Sequence, residues 1–456
     1  MSYGFATESS CKGLNPGKCS VVRVTHTAMS MRFGLHAPEQ VLRCAEQWGS
    51  GTRLILAEVN GTGGWLPALR LASVPLQPGL DWRLGGTRTL LLLPRSMAAY
   101  GFIAQWVGRM RSENRVGDPS DWQQAPLHPE VDVIFPIQRA PERALASNEW
   151  LGVHDHEQIR AQRHPQASRS LAWKTCVFAR PEDPELHRVL RAVHRNATLA
   201  NLQSNEVIEE RDPWWEPVER TQQRFEPWIW RQTERFLAEL PLWSHEQWRG
   251  SGNQNQSTYT GSRAKDRALL RMLCEDALPD RYPGRESDTV LRARLDKELD
   301  LIQQKEFVAY FLLNWDIVRY AQKQNFFYVG RGSGANSMVA YLLKITNVDP
   351  IELDLYFERF INLYRSAPPD FDIDFSWRDR PRLTEYIFKR FPHTALLGAV
   401  STFQHRAVVR ELGKVWGLPK SDIDELADGK LRDRDDTARN ILRYGRLLHG
   451  LPNRRL

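Results

Sequence analysis

The apolar positions of this chain change their rhythm along its length. From Val21 to about Thr198, short apolar runs alternate with helical ones: Val21–Val24, Pro38–Trp48, Leu54–Val59, then Thr89–Leu93 and Val131–Phe135. Strand and helix taking turns predicts an α/β arrangement, a sheet covered by helices. Between Asn205 and Gln256 the character shifts, with Trp214, Trp215, Trp228, Trp230, Trp243 and Trp248 set among Pro, Glu and Arg. The polar run Gly250–Ser257 that follows reads as a boundary or exposed loop. A helical pattern then runs from Asp288 to Gln324, broken near Lys305, in which Leu291, Leu295, Leu299 and Ile302 form one apolar stripe suited to a core. Phe326–Val329 predicts a short strand, Gly330–Ser337 a glycine-rich loop, Met338–Ile345 a helix and Phe371–Phe375 a second strand. Helices are expected at Arg382–Phe391 and Arg406–Trp416, and Lys420–Leu456 is highly charged with no closing element in view.

The 456 residues suggest two to four domains of about 100–200 residues each. With 41% hydrophobic and 26% charged residues, the disordered, collagen-like and disulfide-scaffold classes are excluded. No apolar run approaches the roughly 18 residues of a membrane span and no leader opens the chain, so a cytoplasmic protein without a membrane partner is expected. A net charge of +7, rich in Arg rather than Lys, leans modestly toward nucleic acid. Cys11, Cys19, Cys44, Cys176 and Cys274 are scattered with no CxxC pair, which reads as reduced thiols rather than a metal or disulfide framework.

Two motifs carry chemistry. Gly330-Arg331-Gly332-Ser333-Gly334-Ala335-Asn336-Ser337 lies between a strand and a helix, where backbone N–H groups and the helix N-terminus suit an anion such as triphosphate. A tight strand-to-helix turn also needs glycine, and the spacing matches neither the P-loop nor the dinucleotide fingerprint. The second motif is Pro368-Pro369-Asp370-Phe371-Asp372-Ile373-Asp374-Phe375. On a strand, Asp372 and Asp374 share one face with Cα atoms roughly 6.5–7 Å apart, while Phe371, Ile373 and Phe375 anchor the other. Two carboxylates that close repel each other unless cations, such as a pair of Mg²⁺ ions, sit between them. The alternative is a solvated edge-strand face. Asp370, at the strand entrance, is expected to support the pair.

Together the two motifs resemble the polymerase-beta type of nucleotidyltransferase, and Tyr310–Phe391 closely resembles the palm of the bacterial C-family DNA polymerases, the DNA polymerase III alpha-subunit type. The matching residues are Tyr310-Phe311-Leu312, Gly330–Ser337, Val339-Ala340-Tyr341, Lys344-Ile345-Thr346, Asp349-Pro350, Phe357-Glu358-Arg359-Phe360 and Pro369–Phe375. The resemblance implies that Asp372 and Asp374 are two of three catalytic metal ligands. It also implies that Arg331, Gly332, Ser333 and Gly334, with Arg359 and Arg365, hold the incoming nucleotide. Arg406, Arg410 and Lys414, at four-residue spacing, form a stripe suited to DNA phosphate, the alternative being a solvated face with ion pairs to Glu411.

The N-terminal region resembles the PHP domain that opens these polymerases, carried by Val24-Thr25-His26-Thr27, Ser30–Gly34 and Leu56–Asn60. Its metal site is eroded: His26 stands alone, Glu58 takes an acidic ligand's place and Trp173–Phe178 supplies none. His154, Asp155, His156 and His164 lie outside the motif positions. The implied fold is α/β and α+β multidomain: a degenerate PHP-like α/β barrel over 1–205, a Trp-rich connecting segment over 206–257, a partial palm over 258–405, and a basic helix with the start of a helical thumb over 406–456. The implied function is template-directed addition of dNTPs to a primer 3′-OH in DNA replication, with primer-template DNA, dNTPs and Mg²⁺ at a two-metal site. Other replicase subunits are possible partners, and the resemblance implies that the clamp-binding region lies outside this stretch. The third carboxylate is expected on a later strand, outside this chain; Asp422, Asp424, Asp428, Asp433, Asp435 and Asp436 all lie in charge-rich sequence without an apolar strand. A catalytically incomplete fragment that binds DNA or a partner is the competing expectation.

Overall fold

A computed structural model describes residues 22–31, 33–48, 53–72, 74–84, 87–112, 128–203, 207–208, 211–244, 256–356, 369–391, 394–396, 398–430 and 436–455. The chain divides into two compact units, Met1–Gly250 with Gly398–Leu456, and Ser251–Leu397.

In the first unit, β1 (Val22–Thr25), α1 (Pro38–Trp48), β2 (Leu54–Val59), α2 (Trp65–Arg70), β3 (Leu76–Leu84), β4 (Thr87–Pro94), α3 (Met97–Ser112), β5 (Val131–Pro136), β6 (Glu149–Val153), α4 (Gln158–Arg163) and β7 (Ser170–Thr175) follow in order. The seven strands close into a barrel, β1 pairing with both β2 and β7. All neighbours are parallel except β4, which is antiparallel to β3 and β5. The period of two along each strand sorts the side chains. Leu54 and Leu56 pack on α1 and α2, and Leu80, Trp82, Leu90 and Leu92 pack on α3. The alternate set, Val22, Val24, Ile55, Ala57, Leu91, Leu93, Ile134 and Trp173, therefore fills the interior. Gly152 of β6 faces Trp173, where a Cβ would come within 1.7 Å of the indole ring.

The barrel is followed by α5 (Asp183–Arg195), α6 (Val218–Gln222) and α7 (Pro227–Glu239). Of the tryptophans in the expected connecting segment, Trp230 and Trp215 are buried against the barrel unit's own clusters. Cys44 and Cys176 are free and buried, with burial pushing the Cys176 thiol up to about 11. Cys11 and Cys19 lie outside the described residues.

In the second unit, α8 (Arg263–Arg281), α9 (Thr289–Gln304) and α10 (Val308–Lys323) pack around Leu270, Leu295, Ile302, Phe311 and Leu312. The stripe Leu291, Leu295, Leu299, Ile302 is core, as its spacing predicts, and the helical pattern breaks at Lys305. Cys274 is a free thiol in this core. Asp288 caps α9, accepting from the Val290 N–H at 2.9 Å. β8 (Tyr328–Arg331) leads into α11 (Met338–Leu342), then β9 (Asp372–Phe375) and α12 (Arg380–Arg390). β8 and β9 form an antiparallel pair, Arg331 opposite Asp372 and Val329 opposite Asp374. α11 is shorter than the expected Met338–Ile345, because Lys344 takes a positive φ of 62° that ends the helix.

The chain then returns to the first unit through β10 (Val400–Thr402), α13 (His405–Val415), α14 (Lys420–Ala427), α15 (Asp436–Leu448) and β11 (Pro452–Arg455). Two expectations change here. The charged C-terminal stretch does have a closing element, since β11 pairs antiparallel with β10. It is also amphipathic: Ala438, Ile441, Tyr444 and Leu448 bury one face of α15 beneath its charges. The basic helix α13 packs through Val408, Val409 and Leu412 on Leu186, Leu190 and Val193 of α5.

Candidate functional site

β9 alternates as its sequence demands. Ile373 and Phe371 pack on the core of the second unit, and Asp372 and Asp374 point to solvent, 53% and 56% exposed. Phe371 is fixed by stacking on Tyr310, ring centres 5.4 Å apart, and by its N–H donating to the Tyr310 hydroxyl at 3.3 Å. Opposite on β8 stands Arg331, whose guanidinium donates to Asp374 Oδ1 at 3.1 Å and lies 3.6 Å from Asp372 Oδ2. One cation thus answers two carboxylates. The hydrogen bond from Arg331 holds the Asp374 carboxyl below its usual range.

The glycine loop packs closely on the entrance of β9. Gly332 has φ +90°, and a Cβ there would come within 2.4 Å of the Asp370 carbonyl oxygen. Gly334 N–H donates to that same oxygen at 3.0 Å, and the Asp370 N–H donates to Ser333 Oγ at 3.0 Å. Gly332, Ser333 and Gly334 therefore clamp the backbone at the entrance of β9, beside Asp370. The helix N-terminus is capped from within: Ser337 Oγ accepts from the Ala340 N–H at 3.2 Å, and the buried Glu298 carboxylate accepts from Ser337 Oγ at 2.8 Å and from the Val339 N–H at 3.3 Å. Glu298 of α9 is buried there, and burial raises its pKa, opposed by Arg294, whose Nε donates at 2.7 Å. No local spacing in the sequence points from Glu298 to Ser337.

Arg359 and Arg365 lie outside the described residues. Arg406, Arg410 and Lys414 fall on one exposed face of α13, and each lies beside an acid: Arg406 with Asp428, Arg410 Nη2 3.5 Å from Asp424, and Lys414 Nζ 3.2 Å from Glu411. One of those partners, Asp424, comes from α14 and another, Asp428, caps its C-terminus, a fold-level pairing that the spacing within α13 does not reveal.

The C-terminal ends of the parallel strands hold a second cluster of charge, at the end of a barrel where function usually resides. Asp81 of β3 is fully buried. It accepts from His26 Nε2 at 2.7 Å, Arg83 Nε at 2.9 Å and Arg88 Nη2 at 2.7 Å. Burial opposes its charge, but the two guanidiniums and the His26 N–H hold the carboxyl well below the ordinary range. His26 goes the other way: burial, with Arg83 and Arg88 nearby, lowers its pKa against the pull of Asp81. Its Nε2 faces the Asp81 carboxylate, and among the described residues its buried Nδ1 has no hydrogen-bond partner. Glu58 accepts from Thr27 Oγ1 at 2.5 Å and from Ser30. Arginines and hydroxyls thus stand around the acids here. His154 and His156 stack with ring centres 5.8 Å apart. Among the described residues, no group of three or more His, Cys, Asp or Glu side chains is placed to hold a metal ion.

Residues 268–448 match the family model of the bacterial DNA polymerase III alpha NTPase domain, a range that includes the glycine loop, β9 and α13. Over this range the chain is similar to bacterial C-family polymerases of the alpha-subunit type. It is 42% identical over 161 residues to an error-prone DNA polymerase of Rhodopseudomonas palustris strain BisA53, covering 35% of this chain and 14% of the relative. It is 44% identical over 162 residues to one from Symbiobacterium thermophilum, 35% of this chain and 15% of the relative. With one from Pseudomonas paraeruginosa strain PA7 the figures are 39% over 180 residues, 39% of this chain and 18% of the relative. The chain thus spans about one sixth of the length of these curated relatives in the matched region. Among the described residues, no helix is long and apolar enough to cross a membrane.

Proposed function

We propose that this chain carries part of the active site of a DNA-directed DNA polymerase, the part that presents two metal-holding carboxylates and a triphosphate-binding arginine. The observation that carries this reading is the exposed face of β9, where Asp372 and Asp374 stand side by side with Arg331 across from them. An all-oxygen, doubly negative donor pair open to solvent fits Mg²⁺, a hard cation that keeps several waters and takes one or two carboxylates beside substrate phosphates. Bound there, Mg²⁺ would supply Lewis-acid stabilisation of the phosphoryl oxygens of an incoming dNTP and activate a primer 3′-OH. The chain's own contribution is positional. The Asp370 clamp and the Tyr310–Phe371 stack hold both carboxylates on one rigid strand, and Arg331, on the same face, is the group that a triphosphate oxygen would engage. Arg359 and Arg365 are proposed with it on the strength of the family motif alone.

On this reading the second unit is the first part of a palm and the seven-stranded barrel a PHP-like module. The guanidiniums of Arg83 and Arg88 around Asp81 support reading its mouth as a charge cluster that packs the fold, so phosphoesterase chemistry is not part of the proposal. Primer-template DNA and dNTPs are the proposed substrates, and the free buried thiols support a cytoplasmic setting. The test is binding of Mn²⁺ and of dNTP·Mn²⁺, followed by proton relaxation, alongside primer extension in Mg²⁺. Saturable binding should be lost in Asp372→Asn/Asp374→Asn. Wild-type affinity in that double variant would overturn the metal assignment.

A further inference from the structure

Cations on α13 have acid partners, but those on α15 break the pattern. Arg439, Arg443 and Arg446 recur at four and three residues, which places them on one face of the helix, and all three are exposed. Arg439 is matched by Asp436. Arg443 lies with its guanidinium 5.7 Å from the ring centre of Tyr444, and among the described residues neither it nor Arg446 hydrogen-bonds or ion-pairs with an acid. An open groove of about 580 Å³ runs beside them, lined by Leu442, Leu447 and a single acid, Glu182, which Arg180 already approaches at 3.6 Å. A second groove shares Leu442 and Arg446 and carries His405 and His449. Like charges at three- and four-residue spacing destabilise a helix. The negative end of the helix dipole offsets this for Arg446, in the last turn, but not for Arg443 in the middle.

We propose that this face of α15 seats the phosphates of a DNA strand. The unmatched guanidiniums are forks suited to phosphate oxygens. Arg439 and Arg446 stand about 10 Å apart along the axis, a length over which one strand of a duplex presents about three phosphates. DNA as the polyanion rests on the function proposed above. Sequence spacing favours α13 for this role, yet the basic residues of α13 must first leave acids of their own, whereas Arg443 and Arg446 have none to leave. No base contact is involved, so the seat is independent of DNA sequence.

The test is fluorescence anisotropy of a labelled primer-template duplex with the full chain, titrated between roughly 50 and 200 mM salt. Arg443→Ala/Arg446→Ala should reduce the slope of log affinity against log salt by about 2 and weaken binding about tenfold or more at the low-salt end. Arg443→Lys/Arg446→Lys should recover most of the slope, which a folding defect would not produce. Arg406→Ala/Arg410→Ala should change the slope by less than half as much. A wild-type slope in the α15 alanine variant, or equal losses in the two alanine pairs, overturns the seat while leaving DNA binding intact. Failure of the unaltered chain to bind duplex overturns the seat and the DNA reading together.

Discussion

Two clusters in this molecule use the same residue types to opposite ends. At the barrel mouth, Asp81 is fully buried and accepts from a histidine and two arginines. On β9, Asp372 and Asp374 are more than half exposed and share one arginine. The first arrangement has more donors than acids, and its geometry is fixed by packing on every side. The second has more acids than donors and opens to water. Charge surplus and access, rather than the mere presence of Asp and Arg, separate a cluster that holds a fold from one that can hold a ligand.

Removing the central acid of each cluster should break the symmetry most sharply. Asp81→Ala leaves two guanidiniums buried without their counter-ion and should cost about 3–5 kcal/mol, read as a fall in the melting transition of the barrel unit. Asp374→Ala should leave the melting transition of the second unit where it is. A milder blow to β8 tests whether the acid pair depends on the backbone beneath it. A Cβ on Gly330 would come within 1.9 Å of the Ile345 carbonyl oxygen, so Gly330→Ala should destabilise the second unit by about 1–3 kcal/mol and weaken Mn²⁺ binding with it.

Acid should then distinguish the clusters. His26 has a folded pKa below its ordinary 6.5, so its contribution to stability is present above that value and is lost as pH falls below it. Asp81, held below 3.8, adds its loss only at still lower pH. The barrel transition should fall between pH 7 and pH 5 in circular dichroism melts, and His26→Asn should flatten that fall. The smallest effect is expected for Arg331→Gln. Removing the cation that shares the carboxylates should tighten Mn²⁺ binding a few-fold, while weakening affinity for the triphosphate; looser Mn²⁺ binding would contradict a competition between guanidinium and metal.

Much of this was legible along the chain because it is local. The parity of Asp372 and Asp374 follows from strand geometry, and the leucine stripe of α9 from helical period. The alternation of strand and helix announced the barrel unit, though closure into a barrel depends on β1 meeting β7, a pairing across about 150 residues. What stayed hidden is long-range. Glu298 reaches Ser337 across 39 residues, and Arg406 meets Asp428 at the C-terminal cap of another helix. The charges of α15 masked an apolar face that only Ala438, Ile441, Tyr444 and Leu448, taken together, disclose.

The path of the chain has a consequence for its birth on the ribosome. Residues 251–397 are inserted into a unit whose two parts lie on either side of them in sequence. Leu186, Leu190 and Val193 of α5 are made early, yet the residues that cover them, Val408, Leu412 and Leu448 among others, follow more than 200 residues later. At about 5–20 residues per second, that apolar strip waits on the order of 10–40 s for its cover, while the inserted unit has time to fold. During this interval the nascent barrel presents a greasy helix to whatever holdase or neighbouring chain it meets.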